Sequence, residues 1–477
     1  MKTELPHRCP VAAVVALQLG LLGACLCAAQ GCSVLDRRET PGSGKSLSYT
    51  PGVPDFDMEA VETVQDTASC VDVYIRIPQS SLIFLKREAS YAATFEVRVR
   101  FIADQDESSP VDEIWGDSVQ TDSPGERRRV EETLIRRRYT LVPGAYRAEV
   151  SLQDMNTGVM ANRRQLVRVF DLGSGCAVFT RIRLETLTVN GMSPCLPLHI
   201  RENLDSLRAL LTVYRPSGIR DGAVQAILLR YPTDSTLSSP PNYLTPLTWS
   251  LRSRGVELNK PCTLWTARRR VSGNEPWNLE FDLGHLERGM HELVVDAAQE
   301  PCNSQEDGLL LQTRRFLCIV DHDFPRMTTL GQLIEALPYL ARRSEYQEFI
   351  SAKTDEERIR LFEKFWLNLG GNAENTRILI RHYYTRIEEA NLLFSNYKEG
   401  WKTDRGMIYV VFGPPPLIER QLSTEAWSYS NGYRFVFERV RRLRGDEPFE
   451  NIVLLRDPVY ERAWTKEIER WRRGVVF

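Results

Sequence analysis

Alternation of apolar and polar positions dominates the chain from Val71 to Asp171. Phe95, Val97, Val99 and Phe101 fall on every second residue of the run Ala93 to Ile102, and Val73 to Ile77, Ala145 to Leu152 and Leu166 to Phe170 are similar short runs. A period of two puts one set of side chains on one face of a pleated strand, so this stretch reads as an antiparallel β-sandwich with one face of each sheet buried. The charged insert Asp104 to Arg129 reads as an exposed loop. A second stretch, from about 180 to 321, repeats the plan. Leu141 to Tyr146 with Arg163-Arg164 and Asp171 corresponds to Leu286 to His291 with Arg314-Arg315 and Asp321. In both, a turn glycine precedes an alternating strand, a polar loop follows, and a final apolar strand ends at Asp. That echo predicts a duplicated module.

After Asp321 the period changes to that of a helix. Leu330, Leu333, Ile334 and Leu337 share a face until Pro338 interrupts them. Thr354-Asp355-Glu356-Glu357 is a capping box that opens a helix with Ile359, Phe362, Phe365, Trp366 and Leu369 inward, closed by Gly370-Gly371. Another helix starts near Asn375 and carries Ile380, Tyr383, Tyr384, Ile387 and Asn391 on one side, while Tyr460 to Arg473 is amphipathic around Trp464, Ile468 and Trp471. Between these helices, Met407 to Phe412 is a six-residue apolar run bounded by Gly406 and Gly413, which reads as a buried strand ended by Gly413-Pro414-Pro415. The preceding heptad, Gly400 to Gly406, reads as a structured turn. Thr403 and Asp404 accept backbone N–H bonds there, Gly400 and Gly406 supply positive φ, and Trp401 is the apolar anchor.

The run Gly400-Trp401-Lys402-Thr403-Asp404-Arg405-Gly406, followed by Tyr409 and by Gly413-Pro414-Pro415, resembles the signature of the GWxTD domain found in bacterial envelope proteins. Glu425-Ala426-Trp427-Ser428-Tyr429, the turn at Asn431-Gly432, and Tyr433-Arg434-Phe435-Val436-Phe437 resemble the strands that follow it in that family. The resemblance is close over about 40 residues and looser over the helices from about residue 325. It implies a cell-envelope setting and no established activity. One departure is Glu438, which stands where an Asp commonly follows the second strand.

At 477 residues the chain is long enough for roughly three domains. The expected architecture is multidomain, mainly β and then α+β: two tandem antiparallel β-sandwich modules (67–176 and 177–321), a helical region (322–398) and a small GWxTD sheet unit with a C-terminal helix (399–477). Residues 1–32 read as a lipoprotein-type leader, with Lys2 and Arg8 before the apolar run Val11 to Leu22. Small residues lead to both Cys25 and Cys32, and either one can be the acylated residue. Residues 33–66, rich in Gly, Pro, Ser and charge, read as a tether. The 61 basic and 63 acidic residues nearly cancel, which leaves no global field for nucleic acid.

Export would place Cys70, Cys176, Cys195, Cys262, Cys302 and Cys318 where disulfides persist, so at least one bridge is expected, most readily among Cys195, Cys262, Cys302 and Cys318. No CxxC, HExxH or GxSxG pattern occurs, and Gly42-Ser43-Gly44-Lys45-Ser46 lacks both the spacing and the preceding strand of a phosphate loop. No metal, cofactor or catalytic residue is therefore assigned. Two functional readings follow. One is a non-catalytic, lipid-anchored envelope protein that binds protein partners. The other is an enzyme or small-ligand receptor with a cleft at the GWxTD turn, using Asp404 and Arg405 with Glu399 or Glu419.

Overall fold

Strand pairing begins earlier than composition suggests. Asp57–Gln65 lies antiparallel to Ala68–Pro78, so the end of the expected tether is instead the first strand of a sheet. Phe56, Met58 and Ala60 alternate with Asp57 and Glu59, and the three apolar side chains enter the first core. The acidic residues between them mask that alternation in a composition reading. The computed structural model describes residues 53–475, except 66–67, 89, 123–131, 174–177, 189–190, 197–198, 202–206, 215–221, 244–254, 272–275, 298–310, 422, 441–448 and 450. The leader with Cys25 and Cys32, and also Cys176 and Cys302, lie outside the described residues.

In the first module a three-stranded sheet (Asp57–Gln65, Ala68–Pro78, Glu132–Thr140) faces a five-stranded one built from Leu85–Arg87, Ser90–Ala103, Val111–Thr121, Gly144–Asp154 and Met160–Val169. The core between them holds Val73, Ile75, Phe95, Val97, Val99, Phe101, Val150 and Leu152. Val111–Thr121 corrects the expected loop, because it pairs with Ser90–Ala103 along its whole length. It is an edge strand whose outward side chains meet water, which gives it the charged composition of a loop.

The second module follows the same strand order. Gly222–Tyr231 has Cys262–Val271 on one side and Gly289–Ala297 on the other, and the latter forms a hairpin with Leu311–Val320. Ser90–Ala103 has the same neighbours in the first module: Val111–Thr121, then Gly144–Asp154 hairpinned to Met160–Val169. The facing sheets match as well, with Arg183–Thr188, Arg208–Tyr214 and Trp277–Asp282 in the places of the first module's three strands. Even the hairpin register agrees, since Gly144 pairs with Val169 and Gly289 with Ile319. One parallel pair, His199–Arg201 with Cys318–Val320, departs from the antiparallel plan.

Cys70, Cys195, Cys262 and Cys318 are free thiols, so the expected disulfide does not form among the described residues. Sheet geometry explains part of this. Cys318 is level with Met290, Met290 with Tyr231, and Arg230 with Cys262, which puts Cys318 and Cys262 three strands or about 14 Å apart, twice the reach of a bridge. Burial also pushes the Cys195 thiol up to about 11 and that of Cys318 up to about 12.

The C-terminal unit gathers helices α1 (Leu330–Glu335), α2 (Arg343–Ser351), α3 (Asp355–Gly370), α4 (Ala373–Phe394), α5 (Asp404–Phe412) and α6 (Glu461–Arg472) against a four-stranded antiparallel sheet. Thr354 caps α3 by accepting from the Glu357 N–H, and Gly371 at φ 73° ends it. The sheet runs Leu417–Arg420, Thr424–Ser428, Arg434–Val440, Asn451–Leu454. One core, with Trp366, Tyr383, Trp401, Trp427, Phe435 and Trp471 among its members, joins helices and sheet.

Candidate functional site

The signature sits at the centre of this unit and differs from the sequence expectation in its secondary structure. Met407–Phe412 is not a strand. It belongs to α5, which begins at Asp404. Thr403 is the N-cap: its hydroxyl donates to the Gly400 carbonyl at 2.6 Å and accepts from the Gly406 N–H at 3.1 Å. Such a cap stabilises a helix by about 0.5–2 kcal/mol. A short apolar run fits a buried strand or a buried helix equally, and α5 is apolar all round because α4, the sheet and α6 enclose it. The signal for a helix was present in the Thr-Asp pair just before the run and in Gly413, which ends α5 at φ 85°.

Gly400 and Gly406 are also used differently from expectation. Neither has a positive φ among the described glycines that do. They are required for space. A Cβ on Gly400 would overlap the Ala390 carbonyl of α4, and one on Gly406 would overlap the Gly400 carbonyl. The Gly400–Lys402 turn therefore lies directly on the α4 backbone. Ser395 accepts the Gly400 N–H at 2.7 Å, and Asn391 accepts the Trp401 N–H at 3.4 Å while its amide donates to the Pro325 carbonyl at 3.0 Å. Asn391 on the otherwise apolar face of α4 was the sequence signal for this clamp.

Trp401 is 1% exposed. Its ring meets Tyr339 edge-on at 6.2 Å, and its carbonyl accepts the Tyr339 hydroxyl at 2.8 Å. Lys402 is buried yet ion-paired to Glu335 at 2.7 Å and Glu399 at 3.2 Å. Burial works against its charge, and the two carboxylates more than offset this and raise its pKa.

Asp404 is fully engaged inside the unit. Its carboxylate accepts the Leu454 N–H at 2.7 Å and bonds from the two terminal nitrogens of Arg456, Nη2 at 2.6 Å and Nη1 at 3.1 Å. Burial alone would raise this carboxyl. Arg456 and the Leu454 N–H outweigh that and hold it below the ordinary carboxylate range. Arg405 lies over the Phe394 ring at 5.1 Å and faces Glu425 at 3.9 Å, and Glu425 also accepts from Trp427 and Arg420. Tyr409 donates to Glu389 at 3.0 Å. At the other end of α5, Arg386 and the Trp471 indole donate to the Val410 and Val411 carbonyls. Tyr429 donates to the carbonyl of Gly413; beyond it Pro414 is exposed and Pro415 buried.

The acid and base set considered for a cleft is not brought together. Glu399 pairs with Lys402, Glu419 of the edge strand Leu417–Arg420 with Arg434 two strands away, and Arg405 faces Glu425. Arg456, Leu454 and Glu425, the groups that meet Asp404 and Arg405, lie 20 or more positions away in sequence, and only the fold reveals them.

Fold and site together define a β-rich multidomain protein whose C-terminal unit is organised by an interior packing signature. The family model of the GWxTD domain matches residues 304–473, so the chain carries a GWxTD domain. The match begins ahead of the last strand of the second module and runs through α6. No curated protein matches the chain. Among solved structures it is similar to red sea bream transglutaminase at 8% identity and a TM-score of 0.17, over 55% of this chain and 31% of that one. The chain thus spans under a third of that protein's length, and a likeness at this score carries no argument.

Proposed function

We propose that this GWxTD protein is a non-catalytic lipoprotein of the bacterial cell envelope, anchored through an acylated Cys25 or Cys32, that binds protein partners within an assembly. The observation that supports the non-catalytic part is the engagement of the signature itself. Trp401, Thr403 and Asp404 are buried and bonded to groups of the same unit, and Arg405 is buried against Phe394 and Glu425, so the residues that mark the family act as packing and bonding elements. The anchor rests on the leader pattern, with its basic start, short apolar run and small residues before each cysteine.

Metabolic labelling with a palmitate analogue, followed by cross-linking and pull-down from native membranes, tests both parts. The wild-type chain is expected to take up label and to bring down protein partners, while a chain with Cys25→Ser and Cys32→Ser takes up none. A soluble, unlabelled wild-type chain would defeat the anchor. Turnover of a small molecule that Asp404→Asn abolishes without loss of fold would defeat the non-catalytic reading.

A further inference from the structure

A loop of the second module lies across the signature. Beyond Gly222–Tyr231 the chain closes a small base, where Thr233 bridges Val256 and the Asp234 N–H donates to the Gly255 carbonyl at 2.8 Å. From there Thr236 to Pro241 runs over the C-terminal unit without helix or strand structure. Among the described residues five hydrogen bonds tie it to that unit, and all involve its main chain or one hydroxyl. Lys398 donates to the Thr236 carbonyl at 2.8 Å. The Ser238 N–H and hydroxyl both donate to the Lys402 carbonyl, at 3.2 and 2.9 Å. Arg456 donates to the Ser239 carbonyl at 3.1 Å, and the Asp457 N–H to that of Pro241 at 3.2 Å. Leu237 packs against the C-terminal core, and Pro241 is buried.

This is how an extended peptide is recognised: main-chain bonds hold the backbone, and a few apolar side chains fill pockets. Pro240-Pro241 stiffens the segment and lowers the entropy lost on docking. We infer that the seam formed by Lys398, Lys402, Arg456 and Asp457 is a peptide-docking site for an extended, proline-containing segment, which the second module supplies in cis as Thr236 to Pro241. Arg456 links the seam to the signature, because one of its nitrogens holds the strap at Ser239 while its guanidinium grips Asp404. The seat of the second module on the GWxTD unit is thereby tied to the family's own residues.

Hydrogen exchange on the full chain reads the site at single amides. The Asp457 N–H reports the strap, and the Leu454 N–H, bonded to Asp404, reports the unit itself. Replacing Leu237 to Pro241 by a Gly-Ser linker of equal length is expected to speed exchange at Asp457 on the order of tenfold or more and leave Leu454 slow. A synthetic peptide covering Pro232 to Tyr243 should then bind the linker variant, restore protection at Asp457, and fail to bind the wild-type chain, whose seam is filled. Unchanged exchange at Asp457, or a peptide that does not bind a variant with Leu454 still protected, overturns the site. The double variant Leu237→Ser with Ser238→Ala keeps the backbone and decides the matter if the linker variant does not fold. Faster exchange at Asp457 with Leu454 unchanged supports the site, and wild-type exchange at Asp457 overturns it.

Discussion

Asp72 in the first sandwich and Asp404 in the C-terminal unit are both buried carboxylates held by arginine, yet they do different work. Asp72 lies on the outer face of a sheet and is gripped by Arg136 and Arg138 from the neighbouring strand, at 2.6 Å each. Those arginines are half exposed, so the charge pair stays in contact with water and concerns two adjacent strands. Arg456, by contrast, is 11% exposed, and Asp404 joins the start of α5 to the end of the last strand. A sheet face lets a long cation reach solvent, which confines the consequences of a substitution. In an interior socket, groups distant in sequence share one set of contacts, and a change in one reaches them all.

If that contrast is right, the largest effect belongs to Gly406. Gly406→Ala drives a Cβ into backbone and should cost more than about 4 kcal/mol, enough to unfold the C-terminal unit. Loss of exchange protection through α4 and α5 with the first sandwich intact is the expected result, and a wild-type pattern would break the comparison. Trp401→Ala follows at about 3–5 kcal/mol, since a ring this well packed leaves a cavity the helices cannot close. Denaturant melts read by exchange would measure it.

Asp404→Asn should cost about 2–4 kcal/mol, because Arg456 is left buried with a weakened partner, while Asp72→Asn should cost only about 1 kcal/mol. Equal costs would erase the distinction between the two sites. Acid offers a related test. Both carboxyls are held below their ordinary value: burial opposes ionisation in each case, and the arginines outweigh it. Each therefore adds stability that is fully present above about pH 4, the unfolded value, and is lost as pH falls through the lower folded value. In Asp404→Asn the C-terminal unit's stability should lose part of its pH dependence below about pH 4, as thermal melts across that range would record.

The smallest effect is expected in the sandwich. Gly116, in the edge strand Val111–Thr121, has open space around an added Cβ, its nearest neighbour being the Phe95 carbonyl at 3.8 Å. Gly116→Ala should be neutral or stabilising by up to about 1 kcal/mol, which a shift of the melting midpoint would show. A large destabilisation there would mean that the sandwich is as intolerant as the socket.

Residue patterns by themselves determined the two β modules, their shared hairpin plan, the capped helices and the place of the signature, because alternation, helical spacing and caps are local signals. They also determined that Trp401 is an anchor. They did not determine the conformation of Met407–Phe412, since an apolar run enclosed on all sides carries no period. The edge strand Val111–Thr121 and the opening strand Asp57–Gln65 were hidden because exposure and buried acids gave them the composition of loops. Only the tertiary structure decided why Gly400 and Gly406 are glycines, which carboxylate meets which arginine, and that Thr236 to Pro241 lies on the signature. Each of these depends on how closely segments far apart in sequence approach one another, and that distance is set by the packing of the whole unit rather than by any local run of residues.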